Sequence, residues 1–278
     1  MIILNKKMEL LDYTIHLADN ALIVGHRISE WCGHGPVLEQ DIALTNTSLD
    51  HLGRARSLYQ YAAEQFNKLP IEKRSKVFSS VALQNLVKAG TNADEDELAS
   101  LRDGWDFKNV LLVEQPNIDW AYTVARSLFY DTFNYFFFSE LVKSKDETLS
   151  AIAEKSLKEV TYHLRWSNEW VIRLGDGTEE SHLRMQKAVD ELWMFTGELF
   201  VPNETDKVML QQGIGVDLEK IRNSWMSYIQ PVFREAGINI PAGTWMQEGG
   251  KEGRHTEHLG YILAELQFMQ RAYPGMEW

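Results

Sequence analysis

The chain has one cysteine, Cys32, so no internal disulfide framework and no cysteine-rich zinc site can form. It lacks a surplus of positive charge. A net charge of −12 leaves nothing to neutralise a row of phosphates, which excludes nucleic acid as a partner but not a local basic patch for a small anion. Long hydrophobic runs are missing too: the longest, around Phe136 to Phe138, falls far short of a membrane span. The apolar run in Met1-Ile2-Ile3-Leu4-Asn5-Lys6-Lys7 is too short for a secretory signal, so the expected compartment is the cytoplasm. No strand-rich stretch, internal repeat, interdomain linker, glycine-rich phosphate loop or nucleophile elbow is found.

What the chain does have is helical periodicity. With 44% hydrophobic residues over 278 positions, it can bury a sizeable core. Leu10, Thr14, Leu17, Ala21, Gly25 and Ile28 recur at three- and four-residue steps, the mark of one helix face. Gly33-His34-Gly35-Pro36 breaks the chain. A second helix is predicted to about Phe66, with Ile42, Leu49, Leu52, Arg56, Tyr59, Ala63 and Phe66 as its inner stripe. Residues 67–104 are polar and irregular, apart from a short acidic helix near Asp94 to Leu101. A third long helix is expected from about Asn117 to Lys143, apolar almost all round, and a fourth from Lys145 to Leu174, ending at Gly175-Asp176-Gly177. Further helices are expected at about 178–199, 204–212, 217–236 and 254–273. Two helical hairpins joined by a long crossover predict an all-α, ferritin-like four-helix bundle. We read one domain over 1–278, with a core bundle at about 8–175 and a helical C-terminal wrap at about 178–273.

A di-metal site in such a bundle takes one acid from each of two helices and a Glu-x-x-His pair from each of the other two, because positions i and i+3 share a face. Parts of that set are here. The third helix offers Asp131 on its buried stripe, where a carboxylate must be paired, protonated or metal-bound. The fourth offers His163, but the position three before it is Val160, and the nearest acid is Glu159. The second helix offers Asn46, Asp50 and His51; three residues before the last two stand Thr47 and Ser48, neither an acid. The first helix offers Asp19 and His26. Too few ligands remain for two metals, and the leading expectation is a buried polar network without metal. A degenerate single-metal site and a misplaced helix phase stay open beside it. Literal Glu-x-x-His strings at Glu179–His182 and Glu252–His255 lie at a helix start and in a Gly-rich loop, and read as surface capping or chance. In His255-Thr256-Glu257-His258 a helix start is the better reading. Trp166, Trp170, Trp193 and Trp225 read as core or interface.

Several ordered strings carry a resemblance. Ser29-Glu30-Trp31-Cys32-Gly33-His34, Leu49-Asp50-His51-Leu52-Gly53-Arg54-Ala55-Arg56, Leu111-Leu112-Val113-Glu114-Gln115-Pro116-Asn117, Lys158-Glu159-Val160-Thr161-Tyr162-His163-Leu164-Arg165, Arg173-Leu174-Gly175-Asp176-Gly177-Thr178 and His255-Thr256-Glu257-His258-Leu259-Gly260 together resemble the C-type (PaaC) subunits of bacterial phenylacetyl-CoA epoxidases, across nearly the whole chain. The resemblance implies a ferritin-like component of a multicomponent mono-oxygenase that epoxidises the ring of phenylacetyl-CoA in aerobic phenylacetate degradation. It implies a catalytic A-type subunit holding the di-iron centre, a small bridging B-type subunit, and a reductase carrying flavin and an iron–sulfur cluster and drawing on NADPH. In that scheme the C-type subunit is structural, is needed for the A-type subunit to be stable, and has no cofactor of its own. It also implies contact with the CoA thioester near the interface of the A-type and C-type chains, through Asp106, Phe107, Lys108 and Asn109 and through Lys207, Val208 and Met209. Two rival readings are a self-sufficient di-iron oxygenase built on Asp131, Glu159 and His163, and a stand-alone acyl-CoA-binding module. A homodimer is compatible with all three.

Overall fold

The structure, a computed structural model, describes residues 2–273 and 276, with side chains from residue 8 onward. The outermost positions of the domain expected over 1–278, namely Met1, Pro274, Gly275, Glu277 and Trp278, lie outside the described residues. No strand occurs among the described residues, and no described helix is long and apolar enough to cross a membrane.

Four long helices form a ferritin-like bundle: α1 (Ile2–Ser29), α2 (Leu38–Asn67), then, after a long crossover, α7 (Trp120–Leu141) and α8 (Glu147–Gly175). The crossover holds short helices α3 (Ile71–Arg74), α4 (Val81–Lys88), α5 (Glu95–Ser100) and α6 (Leu111–Glu114). After the bundle come α9 (Glu179–Leu192), α10 (Glu204–Gln211), α11 (Leu218–Ala236), α12 (Glu257–Leu266) and α13 (Phe268–Ala272). α1 pairs with α2 and α7 with α8. α9 and α11 lie on the α7–α8 hairpin, while α10 and α12 lie on α1.

Local chemistry sets the ends. Gly33 turns the chain with φ 79°, and the Asp41 carboxylate accepts the Gly35 N–H at 3.0 Å, closing the break before α2. Asp94 caps α5 in a reciprocal box with Glu97, as the acidic run suggested. Asp119 caps α7 and Asp146 caps α8, so both helices begin two or three residues later than expected from periodicity alone. The expected helix at 178–199 gives way to 3₁₀ turns after Leu192, and the one at 254–273 divides into α12 and α13. At Gly175, a side-chain carbon would run into the Ala236 carbonyl oxygen, so α8 and α11 can close on each other only over a glycine.

The core is aromatic on the α7 side. Phe129 packs against Trp193, Trp225 and Phe233, and the Trp225 indole donates to the Phe129 carbonyl at 2.9 Å. α7 is buried on nearly every side, as its all-round apolar composition requires. The first half of α2 corrects its expected phase. Leu44, Thr47, Ser48, His51, Arg54, Ala55 and Leu58 face inward, whereas Leu38, Ile42 and Leu49 form an outward row, each more than half exposed. The inner face of α2 is polar in mid-helix, so hydrophobic periodicity selected the opposite side there, while Tyr59, Ala63 and Phe66 of the expected stripe are buried.

Candidate functional site

At mid-bundle, α2, α7 and α8 bring His51, Arg54, Asp131 and His163 together. The His51 and His163 rings lie 5.1 Å apart, and donor atoms of His51, Asp131 and His163 all fall within 4.8 Å of one another. The Asp50 carboxylate accepts from His163 Nε2 at 2.9 Å; the proton therefore sits on Nε2, and the buried Nδ1 is left bare and unpartnered. Arg54 Nη1 donates to His51 Nδ1 at 3.4 Å, which places the His51 proton on its unpartnered Nε2. Glu159, half-buried, faces Arg54 Nη2 at 3.6 Å.

Burial governs the charges here. It pushes the Asp131 carboxyl up to about 7, against the Ser167 bond and the pull of Arg54 and Arg126. It pushes both imidazoles below their ordinary value, His51 furthest because Arg54 and His163 add repulsion; for His163 the Asp50 bond works the other way. Glu159 is pushed up by the same burial, against Arg54. The lining is thus driven toward neutrality around one permanent cation, Arg54.

A ferritin-like bundle raises the question of two iron ions, and this lining does not fit them. Such a pair needs four carboxylates and two imidazoles. Here Ser48 and Val160 stand three positions before His51 and His163, where acids are needed, and a guanidinium stands where a second cation would be repelled.

Two of the expected remnant residues lie elsewhere. Asn46 is exposed, a correction to its reading as buried: it falls on the outward row of α2 with Ile42 and Leu49. Asp19 is fully buried, but it belongs to a separate cluster. Its carboxylate accepts from Arg102, from Tyr59 Oη at 2.5 Å and from the Lys108 backbone N–H at 2.7 Å. Asp19 therefore pins the segment 102–109 to α1.

That pinned segment holds the first group of expected ligand residues. Asp106 and Lys108 line a cleft of about 330 Å³ with Met8, Asp12, Lys76, Phe78, Trp105 and Thr205. The residues between and beyond them point the other way. Phe107 and Asn109 are fully buried, with Asn109 donating to Glu114 at 3.0 Å, so neither can touch a ligand in the cleft. The Asp106 carboxylate is occupied by the Ser79 and Ser80 N–H groups at 2.7 and 3.1 Å. Of the second group, Met209 is buried core, Val208 is half-buried, and Lys207 is exposed and paired with Glu204 at 2.6 Å, outside the cleft lining. Lys76 went unread in the sequence, since nothing local marks it as a neighbour of Lys108.

Two hubs fasten the C-terminal wrap to the crossover, one on Glu198 and one on Glu114. Glu114, fully buried, accepts from His255 Nδ1 at 3.0 Å, from the Thr256 N–H at 2.7 Å and from Thr256 Oγ1 at 2.8 Å. This corrects the surface reading of His255: its side chain is 7% exposed, and its Nε2 meets the Phe107 carbonyl at 3.0 Å. Thr256 does stand at the N-cap position of α12, as the helix-start reading expected, but its hydroxyl goes to Glu114 and not to the helix. His182, by contrast, is half-buried and its Nδ1 lies 2.7 Å from the Gly175 carbonyl. With an acceptor at each ring nitrogen, His255 gains by holding two protons. Burial lowers its pKa, but the Glu114 bond and charge and the Phe107 carbonyl outweigh it, and the net shift is upward. A raised folded value means the bonus is complete below about pH 6.5 and disappears as pH rises through that folded value. Urea midpoints measured from acid to alkaline pH should fall across this window, and the slope should be missing in His255→Gln.

Sequence comparisons place the chain among known proteins. The model of a family described as phenylacetic acid catabolic protein matches residues 3–278. A relative from Escherichia coli (strain K12), the C subunit of 1,2-phenylacetyl-CoA epoxidase, is 43% identical over 270 residues, covering 97% of this chain and 99% of the relative.

Proposed function

Because the chain belongs to the phenylacetic acid catabolic protein family, we propose that it is the non-catalytic, structural subunit of a cytoplasmic phenylacetyl-CoA epoxidase, whose di-iron chemistry resides in a sister chain of the A type. The observation that carries this reading is the lining at mid-bundle: Ser48 and Val160 stand three positions before His51 and His163, where a two-metal site needs acids, and the Arg54 guanidinium lies among the ligands that remain. The name of the relative at 43% identity supports the assignment to the complex. In this reading the chain works as one domain with no cofactor of its own, beside the catalytic A-type chain, a bridging B-type chain and a reductase, with or without pairing to a second copy. The outward row of Leu38, Ile42 and Leu49 supports a partner surface, because apolar side chains in line on an exposed helix face gain by being covered. The test is to co-express the chain with an A-type partner, isolate the complex and measure iron in each chain. Iron confined to the A-type partner is expected; two irons in this chain, with an oxo-bridged absorption band, would overturn the reading.

The cleft beside Lys108 supports a contact with the CoA thioester. Lys76 and Lys108 supply positive charge beside Glu9 and the protein-bonded carboxylates of Asp12 and Asp106, while Met8, Phe78 and Trp105 offer apolar surface, so the two lysines are the groups suited to a phosphate-bearing and partly apolar ligand. Lys76→Glu/Lys108→Glu is expected to weaken phenylacetyl-CoA binding to the assembled complex by roughly tenfold or more, since two attractive charges become repulsive. Calorimetry on the complex measures this, and unchanged affinity would remove the cleft from the binding site.

A further inference from the structure

Arg54 occupies an unusual place. It is 4% exposed, lies three residues after His51 on the same face of α2, and sits with its guanidinium carbon 4.8 Å from the centre of the Phe138 ring. Asp50, Asp131 and Glu159 all act on it through their charges. Its Nε and Nη2 have no hydrogen-bond acceptor, so neighbouring charges, rather than a closed network of bonds, hold the group against the cost of its burial.

We infer that the Arg54 guanidinium stands in for a metal cation at mid-bundle, and that removing its charge opens a mononuclear site for a divalent first-row transition ion on His51, Asp131 and His163. Two imidazoles and one carboxylate form a donor set that such ions take readily. His163 is already prepared for the role: Asp50 holds its Nε2 proton, as an outer carboxylate does behind a metal-bound histidine, and leaves Nδ1 bare. With Arg54 neutralised, His51 Nδ1 has no donor facing it. The ring proton can then move to Nδ1, freeing the Nε2 lone pair with no change in proton count. Donor atoms within 4.8 Å of one another must close to roughly 3.3 Å around a tetrahedral ion, which small side-chain rotations achieve. While Arg54 is present, a dication in the same low-dielectric space meets direct repulsion. The inference rests on this chain alone and is independent of the identity of any partner.

The test uses the full chain, Arg54→Gln and Arg54→Met, dialysed against Co²⁺, with elemental analysis and visible absorption as readouts and circular dichroism to verify folding. The unmodified chain should take up almost no cobalt. Each variant should bind about one ion per chain with d–d bands in the visible, and adding His163→Ala should weaken that uptake by roughly tenfold or more. Glutamine keeps a polar group of similar reach, so it guards against collapse of the methionine variant. If either variant is unfolded without metal, cobalt added during refolding should restore its helical signal. A stoichiometric cobalt site in the unmodified chain that depends on His163 would overturn the inference. So would a folded Arg54→Gln protein that takes up none, uptake indifferent to His163, or unfolded variants that cobalt fails to rescue.

Discussion

Asp19→Ala is expected to cost about 3–5 kcal/mol of stability, the range for removing one partner of a buried ion pair. The reason is what remains behind. Arg102 is fully buried, packs over the Phe107 ring at 4.2 Å and would keep its charge with no carboxylate to meet it. The same substitution strips the acceptor from Tyr59 Oη and from the Lys108 N–H. Urea unfolding followed by circular dichroism gives the loss directly. The double variant Asp19→Leu/Arg102→Met should recover much of it, because an apolar pair leaves no orphaned charge. Equal losses in the single and double variants would show that shape, rather than charge, matters at this point. Since Asp19 holds the Lys108 backbone, the single variant should also loosen the cleft at 102–109, readable as faster amide exchange there.

Glu198→Ala should rank beside it. This carboxylate is 2% exposed and accepts the N–H groups of Leu111, Gly249 and Gly250 at 2.7, 2.8 and 2.7 Å, with Lys251 N–H further off at 3.4 Å. Burial raises its pKa, opposed by those backbone bonds and by the charge of Lys251. Alanine would leave at least three buried donors unpaired, at about 1–3 kcal/mol each. The expected outcome is a total loss of several kcal/mol together with release of the segment 249–256 from the crossover. Limited proteolysis near Gly249 should accelerate sharply. Glu198→Gln, which keeps an acceptor oxygen, should retain part of the protection. Wild-type protection in Glu198→Ala would mean that Glu114 alone fastens the wrap.

Both residues show where reading a sequence stops. Asp19 was visible as a buried acid on α1, but its partner Arg102 is 83 residues away in the polar stretch that periodicity left unassigned. Glu198 and Glu114 carry no local signature, because the groups they satisfy are backbone N–H groups and side chains of a distant loop. His51 was legible as a candidate ligand inside the bundle, but Arg54 was not legible as an inner residue. A polar inner face defeats a method that finds the inside by its apolar side chains, and the same error placed Asn46 within the bundle. Lys76 joined Lys108 only when the crossover folded back on α1. Phe107 and Asn109 went inward while Lys108 lined the cleft, an alternation set by the Asp19 anchor rather than by composition.

The sequence by itself determined the helical class, the four long helices and most of their ends, because periodicity, capping residues and glycine act within a few positions of where they stand. It also determined that no acid stands three positions before His51 or His163, where a two-metal bundle requires one, since spacing of three along a helix is a local fact. Only the tertiary structure decided what replaced the missing ligands. Opposing helices brought Arg54 among Asp50, Asp131 and Glu159, and the crossover set Arg102 on Asp19. Buried charges are settled by neighbours that are far apart in the chain, and the low dielectric of the interior makes those neighbours decisive.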